Sequence, residues 1–389
     1  MAMVEKLTAK DRDELIDLID LVFSQAHRPH DFEQLLPKLY GPQADTMKYH
    51  YGVRENGKLV AAVLSYPYEI DVNGKLLKMA GIGSVSAHRN TRGKGYMKAI
   101  MNTVVKDLQE DGTDLSWLGG QRQRYQYFGY DLCSRDYEFE VSKTNLRHIR
   151  GKDYQPTYHF VPFGEGTEGQ KLAAFALHNI QLVHAVRDFD EFEEILKSWN
   201  QKAYLVFQGE DMVGYLAAGE DLKNGERCMN VSECVLAPAG EIQEVVFSLI
   251  KHFHLDLVTV TVSENQPEYL RQLGRICEGY HCEFSGNYRI FHIRKVVEAF
   301  LKAKAERQKL MDGSFCVQAG EEVFTITVEN GAVTVEAGGT PEISMSAMES
   351  NHFFFGMGTP EFCREEAVEY PFLQNWFPLQ FGISHQDGV

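Results

Sequence analysis

Apolar positions recur at helical spacing through residues 5–26, where Leu15, Ile16, Ile19, Val22 and Phe23 share one face, so the pattern predicts an opening helix. Alternation then takes over. Residues 51–54 and 58–65 flank Glu55-Asn56-Gly57, a turn whose Asn-Gly accepts positive φ, and a hairpin is expected there. A second turn at 71–74 leads to a strand over 79–87. Helical spacing returns over 96–110 and ends near Gly112, residues 115–118 form a short apolar strand, and 139–141 close the unit. This order of helix, antiparallel strands, helix and strand describes an α+β mixed sheet.

After a linker over 151–158 the pattern partly repeats. Residues 204–216 echo 51–64 in their hairpin layout, and the strand 231–236 precedes an apolar helix over 241–253, as the strand ending at Ala87 precedes the helix at Tyr96. A second copy of the same unit is the economical explanation. Its connecting loop is only Ala237-Pro238-Ala239-Gly240, with no cation, so the copy is expected to be structural. From Arg294 the texture changes: 296–310 is amphipathic, and 323–328 and 332–335 alternate across Glu329-Asn330-Gly331. The expected division is 1–150, 151–293 and 294–389, the last a third α+β domain.

Composition narrows the function. Apolar residues make up 44% and charged residues 24%, enough for a sizeable core, and no apolar run reaches a membrane-spanning length. The charged, polar segment from Met1 to Arg12 reads as neither signal nor transit peptide. Seven cysteines lack metal-type pairing, apart from Cys277 and Cys282 around His281, so reduced thiols and a cytoplasmic protein are expected. The net charge of −16 argues against a nucleic-acid partner and favours a cationic small molecule, although acidic surfaces also serve solubility.

The sharpest chemical signal is the run from Val85 to Met97, which lies between a strand and a helix and contains Arg92-Gly93-Lys94-Gly95. Glycines there let backbone N–H groups approach a pyrophosphate at a helix N-terminus, where the dipole favours an anion, and Arg92 and Lys94 add positive charge. The spacing fits neither a Walker loop nor a dinucleotide-binding turn. His27, His30, His50 and His88 match no metal spacing, and Ser84 and Ser86 lack a nucleophile-elbow setting. The stretch from Phe353 to Gly358 reads as core or an interdomain contact, with a lipid tunnel as the alternative.

Arg92-Gly93-Lys94-Gly95 resembles motif A of the GNAT acetyltransferases, Gln/Arg-x-x-Gly-x-Gly/Ala, with Met97 in place of the final small residue. That departure is similar to the enhanced-intracellular-survival (Eis) subgroup. Tyr125-Gln126-Tyr127-Phe128-Gly129-Tyr130 resembles the Tyr-x-x-Phe-Gly-Tyr segment of the same subgroup. The resemblance implies two tandem GNAT-like domains, the second degenerate, followed by a sterol-carrier-protein-like domain. It also implies acetyl-CoA as co-substrate without a metal, an amine-bearing small-molecule acceptor such as an aminoglycoside or polyamine, and a homo-oligomer, a hexamer in that subgroup. No nucleic acid or membrane partner is implied.

Carried onto this chain, the resemblance assigns the cofactor to the backbone of Val85, Ser86 and Ala87 and to Arg92, Gly93, Lys94, Gly95, Tyr96 and Met97. Gly120 and Gln121 lie across the cleft. Tyr125 is the expected general acid, since a phenol with a pKa of about 10 stays protonated at neutral pH and can donate to a thiolate. Tyr127 and Tyr130 are read as packing. The terminal carboxylate of Val389 is the implied base, whereas by composition the polar end from Ser384 reads as a frayed tail. Protein lysines are an alternative acceptor, and a CoA- or lipid-binding module without turnover is the rival reading.

Overall fold

One sheet is built from both halves of the chain. The structure, a computed structural model, describes residues 3–26, 29–238, 240–356 and 369–389. Met1, His27, Ala239 and Gly358, named above, lie outside the described residues, as do Met357 and Cys363. The first unit runs β1 (Val4–Lys6), α1 (Arg12–Ala26), α2 (Phe32–Leu35), α3 (Pro37–Tyr40), β2 (His50–Glu55), β3 (Lys58–Val72), β4 (Lys75–Ala87), α4 (Tyr96–Glu110), β5 (Leu115–Leu118), α5 (Arg122–Tyr125) and β6 (Asp131–Ser142). The opening helix therefore starts later than periodicity predicts, because Val4–Lys6 are drawn into strand pairing with β2.

The second unit repeats the plan after α6 (Lys143–Arg150). It runs β7 (Tyr158–Pro162), α7 (Glu168–Asn179), β8 (Val183–Ala185), α8 (Phe189–Lys197), β9 (Lys202–Gln208), β10 (Asp211–Lys223), β11 (Glu226–Leu236), α9 (Ile242–His252), β12 (Leu257–Ser263), α10 (Pro267–Leu273) and β13 (Gly279–Ile290). In each unit one pair is parallel and short: β4 with β5 from Met79↔Leu115 to Ile82↔Leu118, and β11 with β12 from Cys228↔Leu257 to Val231↔Val260.

The last strands of the two units are exchanged. Sequence pattern has β6 closing the first unit. Instead β5 takes β13 as its neighbour, from Asn287↔Leu118 to Ile290↔Leu115, and β6 pairs with β12 of the second unit. The two exchanged strands also pair with each other, from Gly279↔Glu140 to Tyr288↔Asp131, giving one 13-stranded sheet with the order β1-β2-β3-β4-β5-β13-β6-β12-β11-β10-β9-β7, and β8 on β3. Local alternation is satisfied by either partner, so it carries no information about the exchange.

The third unit comprises α11 (Ile293–Ala305), a four-stranded sheet of β14 (Gly313–Ala319), β15 (Glu322–Glu329), β16 (Ala332–Ala337) and β17 (Ile343–Met345), then α12 (Ala347–Phe355) and α13 (Phe372–Trp376). Phe353, Phe354 and Phe355 are fully buried with Phe300, Phe315 and Trp376, in a core that continues onto Met79 and Leu115 of the first unit. These rings are both core and interdomain contact. No helix among the described residues is long and apolar enough to cross a membrane.

Polar links lock the third unit onto α5. Asp131, almost wholly buried, accepts from Arg122 Nε on α5 at 2.5 Å, from Gln126 Nε2 at 3.1 Å and from its neighbour Leu132 N at 2.8 Å, and it meets His352 Nε2 on α12 at 2.7 Å. Burial alone would raise its pKa, but these donors outweigh it and hold the carboxyl at about 2. A depressed carboxylate stabilises the fold above its unfolded pKa of about 3.9, and that contribution is lost as pH falls through about 2. Asp131→Asn is expected to cost about 2 kcal/mol at pH 7, with the gap to the native protein closing near pH 2 in denaturant unfolding followed across pH.

Candidate active site between two parallel strands

The candidate site lies where β4 outruns β5. Their pairing ends at Ile82↔Leu118, yet β4 continues to Ala87, so its edge from Gly83 onward faces an opening. Ser84 takes φ +49, in the stretch where the ladder with β3 shifts register. His88 N–H donates to Val60 O at 2.8 Å, so the antiparallel alternation turns the amides of Val85 and Ala87 away from β3, towards the opening. Ser86 faces inward: its hydroxyl is buried and has no partner among the described residues.

At one end of the opening is the basic loop. Gly93 and Gly95 take φ +85 and +79, and Gly95 caps α4 in the left-handed conformation that glycine adopts without strain. The first-turn amides of α4 cannot be satisfied within the helix and are left as donors to an anion. Tyr96 and Met97 turn their side chains back onto the apolar cluster under α4, so they offer backbone outward. Arg92 is exposed, and the Lys94 ammonium rests on Glu55 at 2.5 Å.

Tyr125 lies on the α4 face of the sheet. Its ring is 3.1 Å from where a Cβ on Gly120 would stand, at the open end of β5. Burial raises its pKa, opposed by Arg124, so the phenol is held protonated. Asn287 of the exchanged strand β13 donates to Gly120 O at 3.1 Å and fixes that edge, while Gln121 is exposed at the N-cap of α5. Tyr130 is packing, with its hydroxyl on Ser116 Oγ at 2.5 Å. Tyr127 is not: it is exposed, and Lys98 sits 4.3 Å from its ring centre.

The chain end occupies the opposite face. Val389 is 8% exposed and packs with Leu15, Ile19, Leu39, Tyr40 and Leu64 in the cluster beneath α1. A Cβ on Gly83 would stand 2.7 Å from its carboxyl carbon and 2.9 Å from the attached oxygen. Glycine at 83 is therefore what admits the terminus to the strand. The composition reading of a frayed tail is overturned for a physical reason, since the tail is tied at several polar points. Gln386 Nε2 donates to the carbonyls of Leu196 and Ser198 at 2.8 and 3.0 Å, and Lys38 Nζ donates to Gln386 O at 2.5 Å. Asp387 binds Arg187.

A cavity of about 270 Å³ adjoins the tail, lined by Lys38, Tyr66, Tyr68, Asp188, Glu191 and Asp387 among others. Tyr68 links it to the terminus, lying 3.6 Å from the Cβ position of Gly81, against which Val389 also packs. Burial, with Asp188 nearby, raises the pKa of Glu191. A second cavity of about 310 Å³ shares Tyr68, Ala185 and Asp387 with it, so the tail forms part of both walls.

The matching gap of the second unit, past Val231 and Val260, opens into the larger cavity, which is lined there by Ser232, Leu236, Thr261 and Tyr269. Tyr269 Oη accepts from Leu236 N at 3.0 Å, and the first turn of α9 carries Glu244, paired with Arg150 and Tyr154. A carboxylate there opposes an anion. The histidines form no cluster: His50 is buried between Tyr40 Oη at 3.0 Å and Thr46 O at 3.1 Å, its pKa held down at about 4 by burial, and His88 Nδ1 accepts from Asn90 N. Sequence reading missed Gly83, Asn287, Lys38 and Arg187, which act only through partners far away in the chain.

Residues 3–133 match the family model described as the acetyltransferase (GNAT) domain. The first unit is therefore similar to a GNAT acetyltransferase domain over the matched residues. No curated protein matches the chain. Among solved structures, a probable N-acyltransferase from Enterococcus faecalis V583 is 17% identical, with a TM-score of 0.70 over 100% of both chains. A GCN5-related N-acetyltransferase from Anabaena variabilis is 15% identical, with a TM-score of 0.69 over 99% of this chain and 98% of that one. Eis1 from Mycobacterium abscessus is 12% identical, with a TM-score of 0.65 over 100% of both. At these identities the likeness concerns fold, and it extends over all three units.

Overpacking at a tight contact costs about 1–3 kcal/mol. Gly83→Ala is therefore expected to loosen the terminus, and a carboxypeptidase should release Val389 from it about tenfold faster or more than from the native protein. Equal release rates would show that the contact does not restrain the chain end.

Proposed function

We propose that this protein is an N-acetyltransferase that moves the acetyl group of acetyl-CoA to a primary amine of a cationic small molecule by direct attack. One observation carries the reading: a protonated phenol and a terminal carboxylate approach a single strand opening from opposite faces of the sheet. The loop from Arg92 to Gly95 and the start of α4 would hold the pyrophosphate, and the pantetheine arm would lie along Val85 to Ala87 with Gly120 and Gln121 across from it. The amides of Val85 and Ala87 would polarise the thioester carbonyl. CoA supplies the activated acetyl group.

The residues then divide the proton traffic. The amine nitrogen approaches from the α1 face and forms the C–N bond as its proton passes to the Val389 carboxylate. The C–S bond breaks, and Tyr125 gives its phenolic proton to the leaving thiolate on the α4 face. Support for a cationic acceptor is the cavity beside the tail, where Glu69, Asp188 and Glu191 gather, together with a net charge of −16. The reading extends to 1–150 as the catalytic domain, 151–293 as a degenerate copy and 294–389 as a sterol-carrier-like domain, in a cytoplasmic homo-oligomer.

The test is thiol release from acetyl-CoA across polyamines, aminoglycosides and lysine peptides. Tyr125→Phe is expected to lower kcat by about 10²–10⁴-fold while calorimetry finds acetyl-CoA affinity unchanged. Undiminished turnover in that variant would remove Tyr125 from the mechanism, and absence of acetyl-CoA binding by the native protein would sink the proposal.

A further inference from the structure

Arg187 stands at the meeting point of three parts of the chain. It follows β8, which pairs along β3 of the first unit, and the preceding residue Val186 donates to Glu69 O on β3 at 2.8 Å. Its side chain, 1% exposed, makes two bidentate pairs. Nη1 and Nη2 donate to the Glu233 carboxylate on β11 at 2.9 and 2.7 Å, and Nε and Nη2 donate to the Asp387 carboxylate at 2.8 and 3.0 Å. Glu233 also accepts from Tyr215 Oη at 2.8 Å and from Ser384 Oγ.

The register of the two parallel pairs makes Glu233 the second unit's counterpart of Ser84. Each lies two positions past the end of pairing, Ile82 in one unit and Val231 in the other. The second unit thus directs at the tail the edge that the first unit directs at its opening. Ser232 Oγ adds a hydrogen bond to Gln386 Oε1 at 3.0 Å. Only Gly388 separates Asp387 from Val389, so the pair with Arg187 anchors the chain within two residues of the terminal carboxylate.

Stability alone does not account for such a network. A buried ionic cluster is often matched or bettered by apolar residues of similar volume, whereas two planar bidentate pairs define a geometry. We propose that Arg187, braced by Glu233, is a positioning residue that aims the Val389 carboxylate at the opening of the first unit, so that the unit without a phosphate cradle serves to hold the base. This rests on the reading of Val389 as the base.

The experiment uses the full chain, with Arg187→Lys, a chain lacking Val389, and the two changes combined. Lysine keeps the charge but not the fork. Because misplacing a reacting group by about 1 Å can cost about 10²-fold, Arg187→Lys is expected to lower kcat by about 10- to 100-fold. The KM and affinity for acetyl-CoA should stay unchanged. In the chain lacking Val389, already slow, the same substitution should cost nothing further. An equal loss in both backgrounds, or a matching loss of acetyl-CoA affinity, would mark Arg187 as merely structural and overturn the proposal. Full activity of Arg187→Lys alongside a slow truncated chain would overturn the positioning role and leave the base reading intact. Full activity of the truncated chain would overturn both. Should Arg187→Lys not fold, Glu233→Gln, which keeps volume and one acceptor, takes its place in the same cycle.

Discussion

The exchange of β6 and β13 is the constraint on which the rest of the molecule depends. A sheet edge left open at β5 would expose unpaired amides and carbonyls beside the reactive opening, and strand β13 covers that edge over the length of β5. The same strand brings Asn287 to Gly120, so the far side of the opening is held by a residue of the second unit. The first unit is therefore completed by the second through backbone ladders. The third unit adds to this through Asp131, where α5 and α12 meet a single carboxylate.

From that frame the opening acquires two chemically distinct faces. On the α4 side lie the basic loop, free helix amides and a phenol kept protonated by burial. On the α1 side lie an apolar cluster and the chain terminus, with an acidic cavity alongside. A sheet separates the two sets of groups, and the gap past Ile82 and Leu118 lies between them. In the proposed reaction the phenol and the terminal carboxylate would therefore stay on opposite sides of the sheet. The second copy keeps the gap, but Tyr269 takes up one of its amides and the helix beside it starts with an acidic side chain.

Much of this was readable from local pattern. The hairpin at Asn56-Gly57, the helix over 96–110, the repeat from 204 onward and the basic glycine loop depend on residues within a turn or two of one another, and periodicity reports such features directly. Tyr125 was singled out by resemblance rather than by local pattern, and it stands beside the opening because α5 follows β5 after a few residues. Where local pattern failed, another segment had intervened: Val4–Lys6 became a strand because β2 offered an edge, and Tyr127, read as packing, is exposed with Lys98 of α4 over its ring.

The sequence by itself determined the elements, their repeated order and a basic glycine loop between a strand and a helix. Each follows from side-chain periodicity, glycine conformation and charge over short stretches. Only the tertiary structure decided which strand completes which sheet, since β6 and β13 alternate acceptably in either place. It also decided that a polar tail is buried rather than frayed. That outcome depends on Lys38, Arg187 and Glu233, and on a glycine at 83 that leaves room for the terminus. These partners lie roughly 150 to 350 residues from the tail, and no window of sequence relates them, because the interaction exists only once the two units share one sheet.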